Sequence, residues 1–293
     1  MANIIFCESG LARNKVDEAF VCEYESAREN GFTVFLYNYE EMSSAKTKPS
    51  EKREEIIYRG WILKPYQYKK LYDDLLSKNY VLINNPAEYQ NCHYFPDSLR
   101  FISSYTPKTI FQKIKSENDE ESINALIEKA KVFCGKPVII KDFVKSEKHY
   151  WDSACFVEDS SNTEKLRETI HNFMELRGDA FNEGIVIREY VKLNVLTNHS
   201  KSGIPLSEEY RLFFFRKKLL SVYNYWEEGN YNAQKPDTNE FEKLAQNIEN
   251  NFFTMDIAKN TDGNYIIIEL GDAQVSGIPE KEDKNMFYKK LTH

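Results

Sequence analysis

The first third of the chain alternates short apolar strands with polar stretches that can form helices. Strands are predicted at residues 4–6, 33–37, 58–63 and 81–83, and a helix is predicted to begin at Pro65. Strands that alternate with helices pair in parallel, because each helix carries the chain back along the sheet. The alternation therefore predicts a small parallel α/β layer at the start of the chain.

The remaining two thirds of the sequence lack this alternation. Two amphipathic helices, with apolar stripes at 123–133 and 166–174, flank strand-like runs at 137–144 and 154–157. The last third is mostly strands rich in β-branched and aromatic residues. These strands are predicted at 184–191, 210–215, 219–226, 253–258 and 265–270. The pattern indicates an α+β region that is distinct from the first third.

The composition limits the functional classes that fit the chain. The sequence has 293 residues, 41% of them hydrophobic, which is enough to bury a core without disulfides or a structural metal. Its net charge of −7 argues against broad nucleic-acid binding, which needs a basic surface. No apolar run is long enough to span a membrane, and the start lacks the pattern of a signal peptide. Together with five irregularly spaced cysteines, these features predict a cytoplasmic protein with reduced thiols.

The sharpest chemical signal is a pair of acids on either side of Asp262-Gly263, a dipeptide typical of tight hairpins. A two-residue turn there places Asp256 directly opposite Glu269, whereas a three-residue loop would break this register. Opposed carboxylates repel each other, so the pair indicates a bound metal, a shared proton or a fully solvated face. Asp272 adds an oxygen donor just past the strand, and three carboxylates suit a hard cation such as Mg²⁺.

Cationic residues occur within strands that are otherwise apolar. Lys141 ends the run 137–140, and a buried lysine costs desolvation free energy unless a phosphate or carboxylate pairs with it. Lys145 follows in a predicted turn, where a solvated loop is the alternative to a phosphate contact. Arg188 and Arg211 lie among apolar and aromatic strand residues, where a guanidinium generally pairs with an anion. An ordinary buried ion pair or an edge strand is the alternative explanation for Arg188.

The order of these signals resembles the ATP-grasp superfamily over about residues 105–280. The resemblance consists of a lysine on one strand, a Glu-x-Val segment at a strand end, an arginine on a later strand and acids on paired strands. Three stretches further resemble the clade named for two arginines and a lysine, a prokaryotic and phage group related to the cell-division-cycle 123 type. These stretches are residues 140–146, 252–256 and 269–272.

The resemblance implies an α+β ATP-grasp fold, in which two α+β subdomains grip ATP, preceded by a small α/β preATP-grasp domain. The implied boundaries are 1–104 for the preATP-grasp domain, 105–191 for the first subdomain and 192–293 for the second subdomain with the metal site. Three departures from the family pattern stand out. A lysine-bearing turn replaces the usual glycine-rich phosphate loop. The sequence Glu269-Leu270-Gly271-Asp272 replaces the usual acid-x-Asn motif, and the usual first lysine is missing, with Arg100 as the candidate to replace it.

The resemblance also implies roles for individual residues. Lys141 and Lys145 would contact ATP, and Glu189, Tyr190 and Val191 would form the adenine hinge. The implied Mg²⁺ ligands are Asp256, Glu269 and Asp272, and the implied catalytic arginines are Arg188 and Arg211. Arg211 would lie near the transferred phosphoryl group.

The function implied by the resemblance is an ATP- and Mg²⁺-dependent ligase that joins a carboxylate to an amine through an acyl phosphate. A peptide or protein is one candidate for the substrate, and no residue identifies the carboxylate or the amine. Two alternatives use the same ATP site. One is an ATP-binding assembly factor for a protein complex, and the other is an ATP-grasp kinase that phosphorylates a hydroxyl. No membrane partner is expected.

Overall fold

Residues 2–201, 203–231 and 235–292 are described in a computed structural model of the chain. Their strands form three four-stranded sheets and one two-stranded sheet. The three large sheets follow one another along the sequence and lie within the predicted ranges 1–104, 105–191 and 192–293. The domain boundaries themselves stay a prediction.

The first sheet is entirely parallel, as the alternating pattern predicts. Its strand order is β2-β1-β3-β4. The strands are β1 (Asn3–Cys7), β2 (Thr33–Tyr37), β3 (Glu54–Arg59) and β4 (Tyr80–Leu82), and the helices of this part are α1 (Val21–Glu29), α2 (Pro65–Leu76), α3 (Pro86–His93) and α4 (Phe95–Ile102). Strand β3 begins four residues before its predicted start, and helix α2 begins at Pro65 as predicted.

The second sheet is antiparallel, in the order β5-β8-β6-β7. Its strands are β5 (Thr109–Lys113), β6 (Val138–Asp142), β7 (Phe156–Val157) and β8 (Gly184–Glu189), and its helices are α5 (Glu120–Ala130) and α6 (Thr163–Arg177). Helix α6 starts after Asn162, whose side chain accepts a hydrogen bond from the Lys165 amide and caps the helix. The apolar stripes of both helices pack on the sheet in one buried cluster.

The third sheet carries the acids of the predicted hairpin. It is preceded by a two-stranded ladder of β9 (Val195–Asn198) and β10 (Pro205–Ser207). Its strands are β11 (Glu209–Phe215), β12 (Lys218–Asn224), β13 (Phe252–Lys259) and β14 (Tyr265–Asp272), paired in the order β12-β11-β13-β14, and the accompanying helices are α7 (Asn239–Ala245) and α8 (Lys284–Leu291). A buried cluster that includes Phe6, Phe213 and Phe287 joins this sheet to the first one.

Strands β13 and β14 place Asp256 opposite Glu269, so the predicted pairing is confirmed. The predicted two-residue turn is wrong, because residues 261–263 form a three-residue loop between Asn260 and Asn264. The register is recovered by a β-bulge, since the partner of Asp256 is Glu269 while the partner of the next residue is Ile267. Ile268 is therefore the extra residue in β14, and the bulge corrects the register that the longer loop would otherwise shift.

Two further predictions concern the cysteines and the helices. All five cysteines are free in the structure, in agreement with reduced thiols. Among the described residues, no helix combines the length and apolar character that crossing a membrane requires.

Candidate active site

A cavity of about 260 Å³ lies where the second and third sheets meet the helices that follow the first sheet. Six of the ten predicted site residues line it: Lys141, Lys145, Arg211, Asp256, Glu269 and Asp272. Within the described ranges, Arg188 and residues 189–191 lie outside this lining. These six residues come from positions 141 to 272 of the sequence, which is about half of the chain.

Each acid of the opposed pair has its own cationic partner. Arg211 donates from Nε and Nη2 to the two carboxylate oxygens of Asp256, over 2.9 and 2.7 Å. Lys141 donates from Nζ to Oε2 of Glu269 over 3.1 Å. The two cations come from β11 and β6, on different sheets. The repulsion expected between the two carboxylates is thus offset by a bidentate arginine on one side and a buried lysine on the other.

Burial and charge shift the pKa values of the pair in different directions. Burial raises the pKa of Asp256, and Arg211 only partly opposes this effect. Burial also acts to raise the pKa of Glu269, but the charge and hydrogen bond of Lys141, with the charges of Lys148 and Lys145, outweigh it and hold that pKa below its ordinary value. Glu269 is therefore an anion throughout the physiological pH range, as a cation ligand must be.

Arg188 approaches the acid pair from β8. Its Nη1 donates to the carbonyl oxygen of Ile268, the extra residue of the bulge, over 2.6 Å. Its Nε is buried and has no hydrogen-bond partner among the described residues. The Phe95 ring lies 5.3 Å from both the guanidinium carbon of Arg188 and Nζ of Lys141. Arg188 thus retains a buried donor that a bound anion could accept from.

Asp272 has a different set of partners. Its carboxylate accepts hydrogen bonds from Nδ2 of Asn84 and from the amide and Nε2 of Gln274, at 2.6 to 3.1 Å. Burial raises the pKa of Asp272 to about 7, and these hydrogen bonds limit the rise. No cluster of three or more His, Cys, Asp or Glu side chains suited to a metal occurs in the part of the chain that the structure describes. A metal-binding role for Asp272 stays a prediction.

The predicted adenine hinge begins at the last residue of β8, and two of its amides donate to the residues that precede β5 and β6. The amide of Glu189 donates to the Lys108 carbonyl and the amide of Tyr190 to the Pro137 carbonyl, both over 2.8 Å. The Glu189 side chain accepts a hydrogen bond from Lys136. Of the three hinge residues, only Val191 has a backbone amide with no hydrogen-bond acceptor among the described residues. The hinge role stays a prediction.

An aromatic cluster beside the hinge was missed by the sequence analysis. The Tyr190 ring meets the rings of Trp151 and Phe156 edge-on, with centroids 5.9 and 5.2 Å apart. Trp151 and Phe156 stack on each other at 5.2 Å. A π-helical turn at Trp151–Cys155 places the tryptophan here, and such turns have no simple sequence signature.

Helices α3 and α4 form one wall of the cavity. The sequence analysis did not predict this wall either. Cys92, His93 and Phe95 line it. Burial, followed by the charge of Lys145, lowers the pKa of His93 to about 4, so the imidazole is neutral at physiological pH. One sequence feature indicates the start of helix α3. Asn85 precedes Pro86 and forms a capping box with Glu88.

Arg100, the candidate for the missing first lysine, lies away from the cavity lining. It is on α4, and its Nη2 donates to the exposed carboxylate of Glu249 over 2.7 Å. The structure therefore gives Arg100 a surface ion pair.

A family model of the ATP-grasp domain, that of family 3 in the clade named for two arginines and a lysine, matches residues 134–291, which is more than half of the chain. The chain belongs to this family. The ATP-grasp fold and the clade inferred from the sequence are thereby confirmed.

Solved structures of ATP-grasp proteins resemble the whole chain. A RimK domain ATP-grasp protein from Sphaerobacter thermophilus has a TM-score of 0.57 and 13% identity, covering 99% of this chain and 98% of that one. The macrocyclase MdnC from Microcystis aeruginosa, bound to its precursor peptide MdnA, has a TM-score of 0.55 and 12% identity, with 99% of each chain covered. The ligase PsnB, complexed with minimal precursor, Mg and ADP, has a TM-score of 0.58 and 10% identity, covering 99% of this chain and 96% of that one.

At these identities the likeness establishes the fold and nothing finer. None of the curated proteins matches the chain. The resemblance implies that Arg188 and Arg211 are the two arginines of the clade and that Lys141 contacts ATP. In the structure Lys141 and Arg188 both lie against the Phe95 ring. Lys141 donates a hydrogen bond to Glu269, and Arg211 donates to Asp256.

Proposed function

We propose that this ATP-grasp protein is an ATP- and Mg²⁺-dependent ligase that joins a carboxylate to an amine through an acyl phosphate. The observation that carries the proposal is the opposed pair Asp256 and Glu269, each held by a cation from a different strand and both lining one cavity. Such a site combines oxygen ligands for a hard cation with donors for phosphate oxygens.

The acid pair fits the coordination that Mg²⁺ requires. Mg²⁺ in nucleotide sites is generally held by one or two carboxylates together with phosphate oxygens and water. Asp256 and Glu269 would be its protein ligands, with Asp272 as a predicted third. When bound, the ion neutralises charge on the β- and γ-phosphates of ATP.

The cations of the site would bind the phosphates. Lys141 and Arg211 are paired with the two acids. Lys141 would exchange Glu269 for a phosphate oxygen when the nucleotide enters, and Arg211 would leave Asp256 for the γ-phosphoryl group only as that group is transferred. Lys145 lines the same cavity, and Arg188 has a buried Nε that lacks a partner in the described structure. Val191 would offer its amide to adenine, because the amides of Glu189 and Tyr190 are already donated within the protein.

The reaction follows from holding both substrates at this cavity. A carboxylate oxygen of the substrate attacks the γ-phosphorus, the bond to the β–γ bridging oxygen breaks, and ADP leaves with the electron pair. Arg211 would stabilise charge on the transferring group. An amine then attacks the acyl carbon, phosphate leaves with the C–O electron pair, and the amine loses a proton to solvent.

A peptide or protein is the substrate class that we favour. The macrocyclase MdnC and the ligase PsnB, which share the fold, are both bound to precursor peptides in their structures. The wall formed by α3 and α4 gives the cavity a side that is apolar and aromatic, through Cys92 and Phe95, and thus suited to a side chain. We also propose a cytoplasmic location, which the five free cysteines support.

Hydroxylamine distinguishes this proposal from its two alternatives. It replaces the amine, so an enzyme that forms an acyl phosphate on added peptides will release ADP and produce a hydroxamate. A kinase will release ADP and leave phosphate on a hydroxyl, without hydroxamate. An assembly factor will bind ATP tightly with negligible release of ADP. Asp256→Asn is the matched control and should abolish ADP release in the first two cases.

A further inference from the structure

Arg59 is among the largest side chains that the fold buries completely, with 1% of its surface exposed. It lies at the end of β3, outside the cavity lining. A buried charge is costly unless it is paired and its donors are satisfied. Glu23 of α1 supplies the pair and accepts from Nε and Nη2 of Arg59, each over 2.9 Å.

The third guanidinium nitrogen reaches into another part of the molecule. Nη1 of Arg59 donates to the carbonyl oxygens of Ala273 and Ser276, the latter over 2.9 Å. These residues belong to the segment 273–277, which follows β14. The residues on either side of Arg59 hold the same segment, since the Gly60 amide donates to the Gln274 carbonyl and the Tyr58 amide to the Gln274 side-chain oxygen.

The segment 273–277 connects Arg59 to the reacting end of the site. Val275, Ser276 and Gly277 line the cavity. The Gly277 carbonyl accepts a hydrogen bond from Nη1 of Arg211 over 3.2 Å, while the other nitrogens of Arg211 hold Asp256. A planar guanidinium keeps its orientation only while several of its donors are fixed, so this carbonyl helps to set the plane of Arg211.

We propose that Arg59 is a positioning residue for phosphoryl transfer: it fixes the segment 273–277 so that the Gly277 carbonyl orients Arg211. The inference rests on the proposed function for its catalytic consequence. A lysine at position 59 could keep the charge beside Glu23, but it lacks the fork that reaches Glu23 and both carbonyls at once.

Two variants distinguish a positioning role of Arg59 from an effect on the stability of the fold. Arg59→Lys removes the fork that holds the segment. Tyr288→Phe removes the hydroxyl that donates to Oε2 of Glu23 over 2.6 Å, and so weakens the same buried network without touching the segment. Both variants are measured well below their melting temperatures for ATP affinity by calorimetry and for ADP release in the presence of Mg²⁺, added peptides and hydroxylamine.

We expect Arg59→Lys to lower kcat for ADP release by about tenfold or more while the Kd for ATP changes by less than about twofold. Tyr288→Phe should lower the melting temperature and leave kcat within about twofold of wild type. The proposal is overturned if Arg59→Lys keeps the wild-type kcat, or if Tyr288→Phe loses as much activity as Arg59→Lys.

A second measurement does not depend on turnover. The Nε–H signal of Arg211 in a ¹H–¹⁵N NMR spectrum of the full chain, assigned by its loss in Arg211→Lys, reports the geometry of the pair with Asp256. It should move in Arg59→Lys and stay in place in Tyr288→Phe. An unmoved signal in Arg59→Lys overturns the positioning role. A wild-type protein that releases no ADP would refute the proposed function instead. The spectrum would still test whether Arg59 affects the pairing of Arg211 with Asp256.

Discussion

Replacement of Arg211 by methionine tests the charge balance of the acid pair. The guanidinium donates two hydrogen bonds to Asp256, and only 3% of Asp256 is exposed. Removing one partner of a buried ion pair costs about 3–5 kcal/mol, because the other charge is left unpaired. Arg211 itself keeps 18% of its side chain exposed, so the lower end applies. We expect Arg211→Met to reduce the free energy of unfolding near pH 7 by about 3 kcal/mol.

The decrease in the free energy of unfolding caused by Arg211→Met should depend on pH. Without the Arg211 charge, burial and the charge of Glu269 raise the pKa of Asp256 further above its ordinary value. A carboxyl with a raised pKa in the folded state gives stability that is fully present below the unfolded pKa and is lost as pH rises through the folded pKa. The deficit of the variant relative to wild type should therefore be small at acid pH and reach its full size near neutral pH.

Urea denaturation between about pH 4 and pH 8 measures this deficit. The double variant Arg211→Met/Asp256→Asn should recover most of the lost stability, because it leaves no unpaired charge. The coupling energy from the double-mutant cycle should be about 2–3 kcal/mol. The reasoning fails if Arg211→Met costs less than about 1 kcal/mol at neutral pH, is insensitive to pH, and adds to Asp256→Asn without coupling.

Three further predictions concern single side chains. Asp256→Asn and Glu269→Gln should each abolish Mg²⁺-dependent nucleotide turnover while circular dichroism shows an intact fold, and unchanged turnover in both would refute the metal assignment. Lys141→Ala should weaken ATP binding, since a buried cation is removed, and equal affinity by calorimetry would count against its role. Asn84→Ala should destabilise the fold by about 3 kcal/mol, because it leaves Asp272 and backbone groups of β13 without their partners, and chemical denaturation would show whether the loss is that large.

Local patterns were enough to predict much of the fold. Apolar periodicity located α5 and α6, and Pro65 marked the first residue of α2. The opposed pair Asp256 and Glu269 was predicted from a turn of the wrong length, and it is correct because a bulge at Ile268 compensates for the extra loop residue. A bulge depends on cross-strand packing and leaves little trace in a single sequence.

The cavity walls could not be predicted in the same way. Phe95 meets Lys141 and Arg188, which are 46 and 93 residues away, and no local pattern encodes such contacts. The sequence predicts that Arg59 lies in a strand that continues to residue 63, whereas in the structure β3 ends at Arg59. Its burial against Glu23 and the carbonyls of 273–277 depends on how the first and third sheets pack.

The central claim is that Asp256 and Glu269 form one site for ATP together with a divalent cation. The direct test is the thermal stability of the full chain with ATP, with Mg²⁺ and with both. Ligands that bind together at about 100 times their Kd add about 2.7 kcal/mol to the folded state, so ATP with Mg²⁺ should raise the melting temperature well beyond the sum of the separate effects. Equal shifts with and without Mg²⁺, or no shift with ATP, would contradict the account.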